Sequence, residues 1–373
     1  MVGPGRMDAS AGDVVVLVGT TKGLFALAAG PERDRWELAG PWFRGEEIYA
    51  AVLDCRDHRA RLLVGATSSH WGPSVYRSDD LGASWEEPEP QTLAFPADTD
   101  AAVARVWQLQ PGSETQPDVI YAGVEPAALF RSDDGGQSFH LDQGLWDHPH
   151  RPQWQPGGGG LCLHTVVVDP AGGPRLGVAV SAAGFYRTLD GLSWEAANVG
   201  IRAPFLPEPT PEFGQCVHKV DRHPAQPDTL FLQHHWGVYR SDDFGGRWQE
   251  VGADILPSTF GFPVVADPNR PGTAYVLPLT SDEFRCTANG QLRVFRTSDG
   301  GGSWASLDNG LPQENAWITV LRDGFSADAL DPTGLYLGTR TGDVFASADA
   351  GRSWRELARH LPPVLCVKTA VLP

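Results

Sequence analysis

The stretch "YRSDDLGASWEE", Tyr76 to Glu87, decides how the rest of the chain is read, because variants of it return at regular intervals. "FRSDDGGQSFHL" begins at Phe130, "YRSDDFGGRWQE" at Tyr239 and "FRTSDGGGSWAS" at Phe295, with further copies "TLDGLSW" from Thr188 and "SADAGRSW" from Ser347. Aligned on Asp80, Asp134, Asp190, Asp243, Asp299 and Asp349, the six copies recur every 50 to 56 residues, and the Thr188 copy is one residue short. A seventh unit, "LVGTTKGLFALAAGPERDRWEL", keeps the flanking strands and Trp36 but has lost the turn. Asp and Ser/Thr side chains in such a turn bond to nearby backbone N–H groups, glycine supplies angles that other residues avoid, and the closing Trp packs inward.

An apolar strand such as "SVYR", "ALFR", "GFYR", "GVYR" or "RVFR" precedes each turn. Strand and turn together resemble the Asp-box (BNR) repeat, S-x-D-x-G-x-x-W, of sialidase-like, sortilin-like and photosystem-assembly-factor β-propellers, and of bacterial sialidase-like BNR-repeat proteins. In those families the boxes are structural, so the resemblance implies no chemistry for the six Asp residues or for the periodic arginines beside them. One central unit, "LCLHTVVVDP…PRLGVAVSAAGFYRTLDGLSWEAAN", reads as four strands, A to D. Seven units of four antiparallel strands predict an all-β, seven-bladed propeller. The N-terminal "VVVLVGTTKGLFAL" matches strands B and C without a strand A, whereas the C-terminal "LCVK" matches strand A. The last strand is therefore expected to complete the first blade, which closes the ring and removes exposed edges. Residues 1–12 are expected to be disordered and 13–373 to form one domain.

Composition narrows the function classes. A formal charge of −17 argues against nucleic acid or an anionic membrane as a partner. No apolar run reaches signal-peptide or membrane-spanning length. Five widely spaced Cys fit a reducing compartment better than a disulfide framework, so a soluble cytoplasmic protein is expected.

In an A–B–C–D blade the repeated C–D turns decorate one face of the disc. The opposite face carries the B–C hairpins and the D-to-A links, which are long and do not repeat, the usual home of a site. There the strand-A starts place Cys162-Leu163-His164, Cys216-Val217-His218 and Cys366-Val367-Lys368 at equivalent positions, with Arg105 and Tyr49 corresponding in two more blades. Glu46 and Glu47 precede Tyr49, and Arg322 falls in the seventh blade's inner strand. The hairpins add Lys22, His70, Glu125, His234, His235, Trp236, Asp282 and Arg340. This cationic mouth in an acidic protein is the expected ligand site.

Three functions suit it. The first is a hydrolase of glycosidase or sialidase-like type acting on a small anionic or carbohydrate-like substrate. Arg105, Arg322 and Lys368 would hold the anionic group, with His70, Trp236 and Arg340 as further substrate contacts. His164 and His218 are candidate acid/base groups, and Glu47 with Tyr49 is the carbohydrate-type alternative. The second is a metal-assisted enzyme in which His164, His218 and His235 (or His234) hold a divalent transition metal. The third is a binding propeller or assembly factor without chemistry, which would engage a ligand or a protein partner.

Overall fold

The computed structural model describes residues 6–89, 92–204 and 206–373. Its strands form seven antiparallel sheets arranged as the blades of a propeller, six with four strands and one with three. The three-stranded sheet is blade 2 (Glu47–Asp54, Arg61–Ser68 and Gly72–Ser78), whose fourth strand shrinks to a bridge between Arg77 and Glu86.

Ring closure follows from blade 1. Val364–Val371 is its innermost strand and pairs antiparallel with Val14–Thr20, Val14 opposite Val371 and Leu17 opposite Lys368. Gly23–Ala29 and Glu37–Trp42 complete the sheet. Val14 to Val18 are buried throughout, as a strand paired on both edges and packed on both faces must be. The junction to blade 7 is pinned by Arg33, in the segment where the seventh copy of the turn is missing. Its guanidinium lies 3.2 Å from the buried Asp328 carboxylate and donates to the Pro332 carbonyl. Residues 1–5 of the expected disordered segment lie outside the described residues. Among the residues that follow, Met7 is buried, donates its N–H to the Leu81 carbonyl, and joins the core between blades 1 and 2, while Arg6, Asp8 and Ser10 are exposed.

The repeated turns are hydrogen-bonded corners. In blade 3 the Ser132 hydroxyl donates to Asp134 Oδ1 (2.7 Å) and accepts the Gly136 N–H (2.8 Å), while Asp134 accepts the Ser138 N–H and hydroxyl. Ser78 with Asp80, Thr297 with Asp299 and Ser347 with Asp349 repeat the pattern. The short Thr188 copy closes one residue earlier, on the Gly191 N–H. Crowding near the axis selects glycine in the second strands. A Cβ on Gly19 would lie 2.4 Å from the Ile48 carbonyl oxygen, and one on Gly123 2.3 Å from that of Leu163. No helix of the described residues is long and apolar enough to cross a membrane.

The inner strands of blades 2 to 5 each carry a register shift near their start, and these shifts position the mouth side chains. They fall between Ile48 and Ala50, Val106 and Gln108, Leu163 and Thr165, and Val217 and Lys219. Tyr49, Trp107, His164 and His218 are therefore the equivalent extra residues of blades 2 to 5, each bulging out of its ladder.

Candidate functional site

The bulges put two side-chain groups at the mouth. The first comes from blades 2 and 3. Arg105 donates from one terminal nitrogen to Glu125 Oε2 (3.0 Å) and from the other to Glu47 Oε2 (3.2 Å). Trp107 Nε1 also donates to Glu125 Oε2, at 3.0 Å. The Tyr49 and Trp107 rings pack with centroids 4.5 Å apart, and the Arg105 guanidinium lies 5.0 Å from the Tyr49 ring. Burial and the Glu47 charge push the Tyr49 phenol above its ordinary pKa, against Arg105, Arg340 and Arg322, so it stays protonated near neutrality.

Arg322 approaches from blade 7. Its guanidinium lies 5.3 Å from the Trp107 ring and donates to Cys162 Sγ at 3.5 Å. Its charge acts on Tyr49, Cys162 and His164 and equally on Cys216 and His218, which makes it the hub between the two groups. The glycine run before Cys162 crosses here. A Cβ on Gly160 would meet Glu125 Oε1 at 2.3 Å, and one on Gly159 would stand 3.8 Å from Arg322.

The second group belongs to blades 5 and 6. Cys216, His218 and His235 present ligand atoms all within 4.8 Å of one another, the one such His/Cys/Asp/Glu cluster among the described residues. Asp282, from the next blade's hairpin, lies 3.1 Å from His235 Nε2. Cys216, His235, Trp236 and Asp282 line a cavity of about 540 Å³.

Several sequence expectations change in register or role. His164 is sealed between blades: Nε2 donates to the Val217 carbonyl (3.1 Å) and Nδ1 accepts from the Thr165 hydroxyl (3.0 Å). It is thus not one of the residues whose ligand atoms gather with those of His218 and His235. Burial, reinforced by the Arg322 charge, holds both His164 and His218 neutral, far below the usual imidazole range. Cys366 does not match Cys162. It pairs with Gly19 beyond the register shift of blade 1, the place taken by Thr165 in blade 4 and Lys219 in blade 5. Lys368 consequently lies deeper, in a channel of about 430 Å³ lined by the later halves of the inner strands. There it pairs with Asp323, which also binds Lys219 Nζ at 2.8 Å. Arg105, expected to hold an anion, instead has both terminal nitrogens committed to carboxylates.

His70 is an exposed hairpin tip, and Trp236 is exposed beside the second cavity. Trp236 belongs to a set: the four exposed Trp and Phe rings of the described residues, Trp71, Trp236, Phe284 and Trp317, all lie in hairpins or links of this face. Trp107 was missed, and Glu125 was expected only as a mouth carboxylate near a bound metal, not as a partner of Arg105. Equivalence with Tyr49, once the bulge is placed, is the signal that finds Trp107.

No protein-family model and no curated protein sequence matches the chain. Solved structures match the fold. An ancestral GH74 enzyme superposes with a TM-score of 0.56 at 15% identity over 84% of this chain, which spans 38% of that enzyme's length. YCF48 from Cyanidioschyzon merolae gives 0.52 at 12% identity, covering 84% of this chain and 85% of its own. YCF48 bound to D1 peptide gives 0.50 at 14% identity, covering 95% and 87%.

Proposed function

We propose that this propeller is a hydrolase that binds a carbohydrate-like substrate carrying an anionic group at the mouth opposite the repeated turns. The observation that carries the reading is the bracketing of one guanidinium by Glu47 and Glu125 above the Tyr49–Trp107 platform. Two carboxylates on the terminal nitrogens of one arginine stand no further apart than the pairs that cleave glycosidic bonds, about 5–9.5 Å. One serves as proton donor to the leaving oxygen and the other as base or nucleophile. Arg105 positions both. Tyr49 and Trp107 supply apolar ring surface against which a sugar ring packs, and the exposed aromatics of the rim add to it. Arg322 and Arg340 carry the positive charge that an anionic substituent needs.

A panel of neutral and anionic aryl glycosides tests the proposal. Turnover is expected, and Glu47→Gln and Glu125→Gln should each lower kcat/KM by about 10²–10⁴-fold. Saturable binding of a glycan without product, in a folded protein, would assign the mouth to recognition alone.

A further inference from the structure

We propose that Cys216, His218 and His235 form a zinc-binding centre at the rim of the mouth, open on one side to the 540 Å³ cavity. The proposal is independent of the hydrolytic reading. It rests on a comparison that the molecule makes with itself. Blades 4 and 5 begin their inner strands with the same Cys-x-His, and both histidines sit in the same bulge. Each makes the same inter-blade hydrogen bond to the following blade's carbonyl, but with opposite ring nitrogens. His164 uses Nε2 on Val217, so that Nδ1 turns to Thr165. His218 uses Nδ1 on the Gly261 carbonyl, at 2.6 Å, so that Nε2 faces Cys216 Sγ at 3.6 Å. A histidine whose one nitrogen donates to a backbone carbonyl while the other points at a thiol is oriented as metal-ligating histidines are.

The third donor is specific to blade 5. Its B–C hairpin supplies His235, whose backbone N–H donates to the Cys216 carbonyl at 3.0 Å and locks hairpin to strand. In blade 4 the corresponding N–H, on Ser181, makes the same bond to the Cys162 carbonyl at 2.9 Å, yet brings no imidazole. Cys162 there faces Arg322 instead. Phe260 and Phe262 wall the His218 ring, and Phe260 also packs on His235. The two rings therefore have a rigid apolar seat. Asp282 adds a carboxylate at His235 Nε2, the kind of partner that orients a ligating imidazole. One thiolate and two imidazoles suit Zn²⁺, and three protein ligands beside a cavity leave a position for water or a substrate oxygen.

The full chain, purified without chelator and loaded with Zn²⁺, should retain a single equivalent after desalting. Loaded with Co²⁺, it should show thiolate-to-cobalt charge-transfer absorption in the near ultraviolet. Cys216→Ser should abolish that absorption and lower zinc retention at least tenfold, with an unchanged circular dichroism spectrum. Cys162→Ser, the equivalent thiol of blade 4, should leave both unchanged. Should His218→Gln fail to fold through loss of its bond to Gly261, His235→Ala at the hairpin makes the same prediction. Wild-type protein that retains no metal after loading overturns the proposal. So does metal retention in Cys216→Ser equal to that of wild type.

Discussion

Two histidines of identical motif differ in which ring nitrogen faces a carbonyl, Nε2 in His164 and Nδ1 in His218. His164 spends both nitrogens inside the protein, so its replacement should act on stability alone. His164→Leu leaves the Val217 carbonyl without its partner and is expected to cost about 1–3 kcal/mol, read as a lower urea midpoint, with ligand binding retained. Arg322 behaves differently, since its charge reaches both halves of the mouth while its guanidinium donates to the Cys162 thiol. Arg322→Met should weaken an anionic ligand by about 1.5–3 kcal/mol, roughly ten- to hundredfold, and leave a neutral analogue little changed. Isothermal titration of the two ligands separates these outcomes. At this scale the sequence was only partly legible. Glu47, Tyr49, Arg105 and Arg322 are found together as their non-repeating positions suggested, whereas Trp107 and the role of Cys216 were hidden. A tryptophan in an inner strand reads as core, and a cysteine reads as a buried thiol, until neighbouring blades supply the groups around them.

The turns and the bulged inner strands show opposite degrees of legibility. Each turn announces itself because its Ser/Thr, Asp and Gly are all consumed locally, within four residues of chain. Ser132→Ala removes a buried hydroxyl that both donates to Asp134 and accepts the Gly136 N–H, and should cost about 1–3 kcal/mol by chemical denaturation. The turns also set an acid limit. Hydrogen bonds from the Ser84 hydroxyl and N–H hold Asp80 at a pKa of about 2, and those from the Ser193 and Leu192 N–H groups do the same for Asp190. Asp299, bonded by the Ser303 hydroxyl and N–H, also lies at about 2. An unfolded Asp titrates near 3.9, about two pH units higher. Stability from these bonds is thus fully present above about pH 4 and lost as pH falls toward 2. Unfolding temperatures measured between pH 6 and 2.5 should be flat above that value and drop steeply below it; a flat profile throughout would refute the linkage. The bulges left no such trace. An extra residue in one strand shifts the pairing without changing the apolar pattern on either side, and for this reason Cys366 was aligned three residues too early and Lys368 was placed at the mouth.

Across the whole molecule, the seven-fold repetition and the missing first strand were sufficient to specify a closed ring, because an unpaired inner edge has no other partner in the chain. The pairing of Val364–Val371 with Val14–Thr20 makes that strand indispensable. A chain truncated after residue 363 should lose its cooperative thermal transition and near-ultraviolet dichroism, and a peptide of residues 364–373 added in trans should restore part of both. Retention of the transition by the truncated chain would show that the other six blades suffice. Which face gathers the non-repeating aromatic and charged side chains was legible from loop irregularity. The division of the axis into an aromatic, arginine-rich mouth and a lower channel lined by Lys219 and Lys368, both paired with Asp323, was not, since those three residues come from separate blades.

The same strand pairing has a consequence for biosynthesis. During translation the segment "VVVLV" leaves the ribosome about 350 residues ahead of its partner, roughly 20–70 s at ordinary elongation rates. Throughout that interval the nascent polypeptide carries a half-satisfied apolar ribbon, until Val364–Val371 arrives to latch the circle.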